Sequence, residues 1–326
     1  MQHLRSLLIV TCVVVLLDAT NSFAQQKQPG QSVQDLRNRN AQLVANRTNA
    51  IARTPQVPFP PLSAKHNSYI DQLLKYWEGS SAQVKRYQCQ FTRWEYDGIF
   101  GPRANAKGVL PAKTIATGII RYEAPDKGMY EVEKLYDYAP PRVAGGEPQY
   151  PERKENNKEK WICDGVNVYE MDFNQKKMLV IPLPPESRGK AISDGPLPFL
   201  FGVEAEKVKK RYWLRVITPK NAEGEYWLEA WPKRLHDAQS FKKVEVIIDE
   251  KDFLPKAIQI FGTQYDPRTN QSRTAFTFEK REKNKIDLNI FKAKFHKPKL
   301  EKGWKTEVLN PQPQAQARRP AAMPRK

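Results

Sequence analysis

Few residues in this chain are equipped for acid–base or metal chemistry. Its 326 residues include four histidines, His3, His66, His236 and His296. No two have the i, i+4 spacing that sets a pair of imidazoles on one helical face for zinc. His236 precedes Asp237, a pairing that a general base can use. However, adjacent residues in a turn do not make a catalytic set, and the chain has no Gly-x-Ser-x-Gly elbow to present a nucleophile. Cys89 and Cys163 lack the CxxC spacing of zinc or thioredoxin-like redox sites. The 16 glycines are scattered among turns and form no phosphate cradle. Asp249-Glu250 and Glu204/Glu206 stand among other charges and read as solvated faces. The expectation is a non-enzymatic protein with no catalytic residue, no metal and no cofactor.

The informative residues are apolar. Phe199, Leu200 and Phe201 form a compact apolar run after Pro196 and Pro198. This run is either a lid touching a ligand chain or a permanently packed helix. Phe91, Ile119, Tyr130, Val132, Trp213, Trp227, Val244, Val246, Phe276 and Phe278 are strand positions that can point inward, as cavity or as ordinary core. Trp227 and Trp231 share a strand face, being four residues apart. Cys89 and Cys163 stand either as a disulfide, as an exported chain invites, or as two buried apolar thiols. The run Lys207, Lys209, Lys210 and Arg211 reads either as a solvated helix end or as a dock for anionic lipid or an acidic partner.

These residues need a scaffold, and composition bounds it. Forty per cent of residues are hydrophobic, enough for a core, while 26 prolines and a mean hydropathy of −0.70 imply much surface and loop. Residues 1–24 read as a signal peptide. Arg5 lies in a basic start, Ser6 to Leu17 form an apolar stretch, and Ser22-Phe23-Ala24 fits the cleavage pattern. The apolar stretch is about 12 residues, short of the ~20 needed to span a bilayer. Export follows, and with it separation from nucleic acid. Residues 25–62 are rich in Gln, Asn, Arg and Pro and read as a disordered linker; 311–326 read as a disordered basic tail. Nearly half of the formal net charge of +18 lies in these ends. Basic tails are drawn to anionic surfaces such as lipid head groups.

Residues 63–310 are then one domain. Ile70, Leu73, Leu74 and Trp77 form one helical stripe, with Ser68 and Asp71 as its expected cap and Gly79 as its stop. About ten strands follow, beginning with the alternation of Tyr87, Cys89 and Phe91. Asp164-Gly165 is a hairpin turn, and 139–160 is a charged surface loop. Short regular spacing and the absence of alternating βα units predict a curved antiparallel sheet or barrel.

The order of these pieces resembles the LolA/LolB group of periplasmic lipoprotein carriers, and more closely a planctomycete LolA-like family. The resemblance rests on the helix Ile70–Trp77 followed by Tyr87 to Thr92, and on Gly118-Ile119-Ile120-Arg121-Tyr122-Glu123-Ala124-Pro125. It continues through Ile162-Cys163-Asp164-Gly165 with Val168-Tyr169, Pro196 to Gly202, Val244 to Ile248 with Phe253-Leu254-Pro255, and Phe291 to Pro298. It implies a mainly β (α+β) fold, a strongly curved incomplete antiparallel β-barrel with an N-terminal helix and a short helical lid. It also implies a hydrophobic cavity for an acyl chain, lipid, lipoprotein or other amphiphile. The alternative is an envelope sensor or scaffold that uses the fold to bind proteins without cargo. One position departs from the pattern. LolA has an arginine before the proline that ends its second strand, where this chain has Ala124.

Overall fold

The computed structural model describes residues 55–105, 108–143, 145–154, 159–185, 188–189, 199–200, 203–284 and 295–309. The expected signal peptide and basic tail, all but the end of the expected linker, and Phe201 lie outside these residues.

Twelve strands form one open, curved sheet. In chain order they are β1 Arg86–Tyr96, β2 Thr114–Glu123, β3 Lys127–Asp137, β4 Glu159–Asp164, β5 Asn167–Asp172 and β6 Lys177–Pro182. Then come β7 Tyr212–Val216, β8 Glu225–Pro232, β9 Lys243–Asp249, β10 Pro255–Phe261, β11 Arg273–Lys283 and β12 Lys305–Val308. The spatial order is β12-β6-β5-β4-β3-β2-β1-β11-β10-β9-β8-β7. β1 and β11 therefore join a run of hairpins from each half. Every pairing is antiparallel except one: β12 lies parallel to β6, Lys305 opposite Lys177. The all-antiparallel expectation is corrected at that edge. β12 escapes a hairpin reading because it comes from a distant stretch of chain that crosses the sheet before pairing.

Among the described residues three helices accompany the sheet: α1 Ala64–Ala82, α2 Ala205–Arg211 and α3 Leu235–Ser240. Ile70, Leu73, Leu74 and Trp77 are all buried, as their spacing requires. The ends of α1 differ from the expectation. Ser63, not Ser68, is the N-cap, its Oγ accepting from His66 N at 3.3 Å. Gly79 does not stop the helix, which continues to Ala82. A Cβ there would meet nothing within 4 Å, so this glycine lies on an open face and its sequence signal was misleading. The 139–160 loop is partly paired: Tyr136 bridges Glu152 and Ala139 bridges Gln149.

Strand alternation divides the sheet into two faces. The inner face lies beneath α1 and shares one apolar cluster with it. From β1 this face presents Tyr87, Cys89 and Phe91; from β2, Ala116, Ile120 and Tyr122; from β3, Tyr130 and Val132. The outer face of β3–β6 is also apolar. Met129, Ile162, Tyr169, Met178 and Val180 pack there beneath Phe295, with Leu300 and Trp304 alongside. Residues 295–309 thus act as a strap that closes the back of that half. The outer face of β7–β9 is covered differently. Glu229, 1% exposed, is held by Arg215 and by Lys243 Nζ at 2.7 Å.

Gly118 sets the approach of β2 to its neighbours. A Cβ there would stand 2.0 Å from Glu131 O and 2.8 Å from two ring carbons of Phe91. The backbone oxygen cannot yield, and the register already shifts between Thr117 and Gly118. Gly118→Ala is expected to cost about 2 kcal/mol by overpacking, read as a lower midpoint in urea. An unchanged midpoint would show that the sheet gives way freely here.

Candidate functional site

The inner face is the candidate site. Seven of the residues expected to point inward do so: Phe91, Tyr130, Val132, Val244, Val246, Phe276 and Phe278. The pairings are Phe91 with Phe278, Arg93 with Phe276, Gly118 with Val132, Ile258 with both Val246 and Phe276, and Ile260 with Val244. Phe199 and Leu200 are buried against the same cluster. The Phe199 ring stacks on Trp77 at 6.3 Å and meets Tyr212 at 5.1 Å. Ile119, Trp213 and Trp227 are corrected. Ile119 alternates with Gly118 and Ile120, Trp213 pairs with Trp231, and Trp227 follows inward-facing Tyr226, so all three face outward. A period of two makes a one-residue error a change of face. Aromatic residues occur on both faces here, so residue type could not fix the phase. Trp227 and Trp231 do share a face, the outer one.

Cys89 and Cys163 are free thiols, both buried. Cys89 sits in the cluster beneath α1, and Cys163 packs with Val168 and Ile181. The Cys163 thiol donates to Asp126 O at 3.1 Å. The disulfide reading gives way to the buried-thiol reading because the two side chains occupy separate clusters. Desolvation pushes both thiols up to about 12, so neither is a thiolate near neutral pH.

The aromatic residues are ordered in a row. Phe91 stacks on Tyr130 at 4.7 Å, and Tyr130 stacks on Trp161 at 5.8 Å. Beside this row lies a polar group that the sequence did not flag. Arg93, 2% exposed, donates from Nη1 to Tyr130 Oη at 2.7 Å and to Glu159 Oε2 at 2.7 Å. Its Nη2 donates to Glu159 Oε1 at 2.9 Å and lies 3.1 Å from Glu95 Oε1. Burial opposes the charge on Arg93, but Tyr130, Glu159 and Glu95 outweigh it, so the guanidinium is held ionised. Alternation on β1 was a visible signal: Arg93 follows Tyr87, Cys89 and Phe91 in phase, an arginine at a core position.

Glu170 faces the same side, opposite Trp161. Burial, then Asp172 and Glu159, push its carboxyl up to about 7, against a smaller lowering by Lys177. The folded state therefore binds this proton more tightly than the unfolded chain does. Stability from this group is present below about pH 4.5 and lost as pH rises towards 7. Glu170→Gln is expected to remove that slope and to stabilise the protein at pH 8 by on the order of 2 kcal/mol. Urea midpoints of both proteins from pH 4 to 8 test this, and parallel curves would refute it.

Burial along the inner face is uneven. Tyr87, Tyr122 and Ile248 are buried at one end, with Tyr226 and Phe253 partly buried beside them. Towards the other end, where β1 leads into the 97–113 loop, Leu135, Ile260 and Phe276 are only partly buried. Arg93 pairs with Phe276 across β1 and β11, and so stands at this second end. The arrangement is an apolar floor with a polar group at one end, where Glu95 and Glu159 are part-exposed. His236 and Asp237 are separated in role. His236 is exposed, while buried Asp237 accepts from Arg211 Nε at 2.8 Å and Nη2 at 2.7 Å. Of the basic run, Lys209 pairs with Asp71 at 2.8 Å and Lys207 with Glu204, as at an ordinary charged helix end.

No protein-family model matches the chain, and no curated protein matches it. The closer resemblance to a planctomycete family thus has no support from these comparisons. Solved structures do show similarity. A conserved protein from Thermus thermophilus is 7% identical with a TM-score of 0.39, covering 74% of this chain and 99% of that one. The lipoprotein LppX from Mycobacterium tuberculosis is 10% identical with a TM-score of 0.32, covering 68% and 99%. A LolA superfamily protein from Nitrosomonas europaea is 9% identical with a TM-score of 0.26, covering 68% and 96%. Scores this low assign neither family nor function, and the description of the fold rests on the sheet itself.

Proposed function

We propose that this chain is an exported envelope protein of LolA-like type that holds an acyl chain, lipid or lipoprotein on the inner face of its sheet. The observation that carries the reading is an apolar, aromatic face with a charged group at one end. Phe91, Tyr122 and Tyr130 line it, Leu135, Ile260 and Phe276 are partly buried at the end where Arg93 stands, and the Arg93 partners Glu95 and Glu159 are part-exposed there. An amphiphile matches that layout, its chain along the aromatic floor and its polar end at the charged group. The leader-like residues 1–24 support a periplasmic location. No residue set in this reading performs catalysis.

The test is titration of the purified protein with a dansyl-labelled fatty acid. Saturable binding, displaced by unlabelled fatty acid and weakened by Phe276→Ala, is the expected result. No saturable binding would favour the sensor or scaffold reading, with the inner face a closed core.

A further inference from the structure

The described residues of the 97–113 loop, between β1 and β2, display apolar side chains at the end of the sheet where Leu135, Ile260 and Phe276 lie. Phe100 is 82% exposed, the highest value among the exposed large apolar residues described, and Ile99 and Val109 are 59% and 57% exposed. They are held there by a built loop. Asp97 Oδ1 accepts from Ile99 N at 3.1 Å and Phe100 N at 2.8 Å, and Gly101 N donates to Asp97 O at 3.0 Å. A Cβ on Gly101 would stand 2.2 Å from Asp97 O, so the turn requires glycine. Asn105 closes the second half, its Oδ1 accepting from Val109 N at 3.0 Å. The two halves meet at Gln271. Its Nε2 donates to Gly108 O at 3.3 Å, while its backbone N lies 2.7 Å from where a Cβ of Gly98 would stand.

The surrounding charge is positive. By sequence, this loop and the adjoining 262–272 loop hold Arg103, Lys107, Lys113 and Arg268 against Asp97 and Asp266, and Arg273 follows at the start of β11. Both acids are already engaged. Asp97 pairs with Lys113, and Asp266 accepts from Arg268 N and Thr269 N, both at 2.9 Å. The neighbouring 139–160 insert carries Arg142, Arg153, Lys154, Lys158 and Lys160 against Glu147, Glu152, Glu155 and Glu159, a net charge of +1.

We propose that this loop is a membrane-docking tip that places Phe100, Ile99 and Val109 in the acyl boundary of an anionic bilayer, with Arg103 and Arg268 on lipid phosphates. Three apolar side chains on one loop are too few for the roughly 1,000 Å² of a stable protein interface. They are enough for reversible membrane binding when cations stand beside them. The tip lies at the end where Leu135, Ile260 and Phe276 are partly buried, so docking would bring that edge of the inner face to the lipid. The docking claim does not rest on the proposed ligand, because vesicle binding and acyl-probe binding are separate measurements.

The experiment is co-sedimentation with vesicles of phosphatidylcholine and phosphatidylglycerol (1:1), and with phosphatidylcholine alone, at low and high salt. The unaltered protein is expected to bind the anionic vesicles, and to bind less as salt rises. Ile99→Ser/Phe100→Ser is expected to bind about tenfold or more weakly, with an unchanged Tm because both side chains are exposed. Val308→Ser, an exposed apolar position on β12, is expected to bind normally. Equal binding by the unaltered protein and the loop variant would assign docking to the basic tails and overturn the proposal. Absence of binding by the unaltered protein would overturn it too, whatever the acyl probe shows.

Discussion

Glu159→Ala is expected to destabilise the fold by about 3 kcal/mol. Glu159 supplies both acceptors of a bidentate pair to Arg93, and the two sit on different strands, β4 and β1. Removing the carboxylate leaves a guanidinium that is 2% exposed with, among the described residues, Tyr130 and Glu95 as its remaining partners. A buried charge without its counter-charge is costly because the interior cannot replace water around it. The reverse change is milder. Arg93→Met fills the same volume, removes the buried charge and leaves part-exposed Glu159 free to turn to water. Its cost is about 1–2 kcal/mol, mainly for the Tyr130 hydroxyl left without its donor. The double variant Arg93→Met/Glu159→Ala is expected to cost little more than Arg93→Met alone, since the two residues act as a unit. Urea unfolding of the three variants tests this. Equal costs for Glu159→Ala and Arg93→Met would show that the pair is not an electrostatic unit.

Trp77→Ala is expected to cost about 4 kcal/mol. Trp77 is wholly buried at the centre of the stripe by which α1 is fixed to the sheet, and it stacks on Phe199. Truncation leaves a cavity between helix and sheet and frees the Phe199 segment. Trp77→Phe is the informative companion. Among the described residues the Trp77 indole N–H has no acceptor. Phenylalanine would keep most of the packing while removing that orphan donor, so its cost is expected to stay below about 1.5 kcal/mol. If Trp77→Phe were as damaging as Trp77→Ala, packing would not be what the indole supplies. Loss of acyl-probe binding in Trp77→Ala, with retention in Trp77→Phe, would also tie the seat of α1 to the inner face.

Much of this architecture was legible in the chain. The stripe Ile70, Leu73, Leu74 and Trp77 announced a helix that had to lie on something apolar. The alternation at Tyr87, Cys89 and Phe91 announced a strand with one buried face. Asp164-Gly165 marked its hairpin because glycine takes positive φ there, at 91°. Three things were not legible, each for a physical reason. Absolute phase failed at Ile119, Trp213 and Trp227, because large apolar residues stand on both faces of this sheet and their type does not reveal which face is inner. The strap was missed because Phe295, Leu300 and Trp304 have no period, and their partners Met129 and Met178 lie far away in sequence. The polar group failed because Arg93, Glu159 and Glu95 belong to two strands whose neighbours are fixed only by the full sheet order. Arg93 itself was the available clue, a charge standing in phase with a buried row.

Native mass spectrometry, followed by solvent extraction, on protein purified gently from the envelope of its host tests the central claim most directly. A resolved mass excess that is released by solvent and identified as a lipid, fatty acid or acylated peptide is the predicted result. A clean mass of the chain alone, together with no uptake of added lipid, would contradict it and make the inner face a closed core.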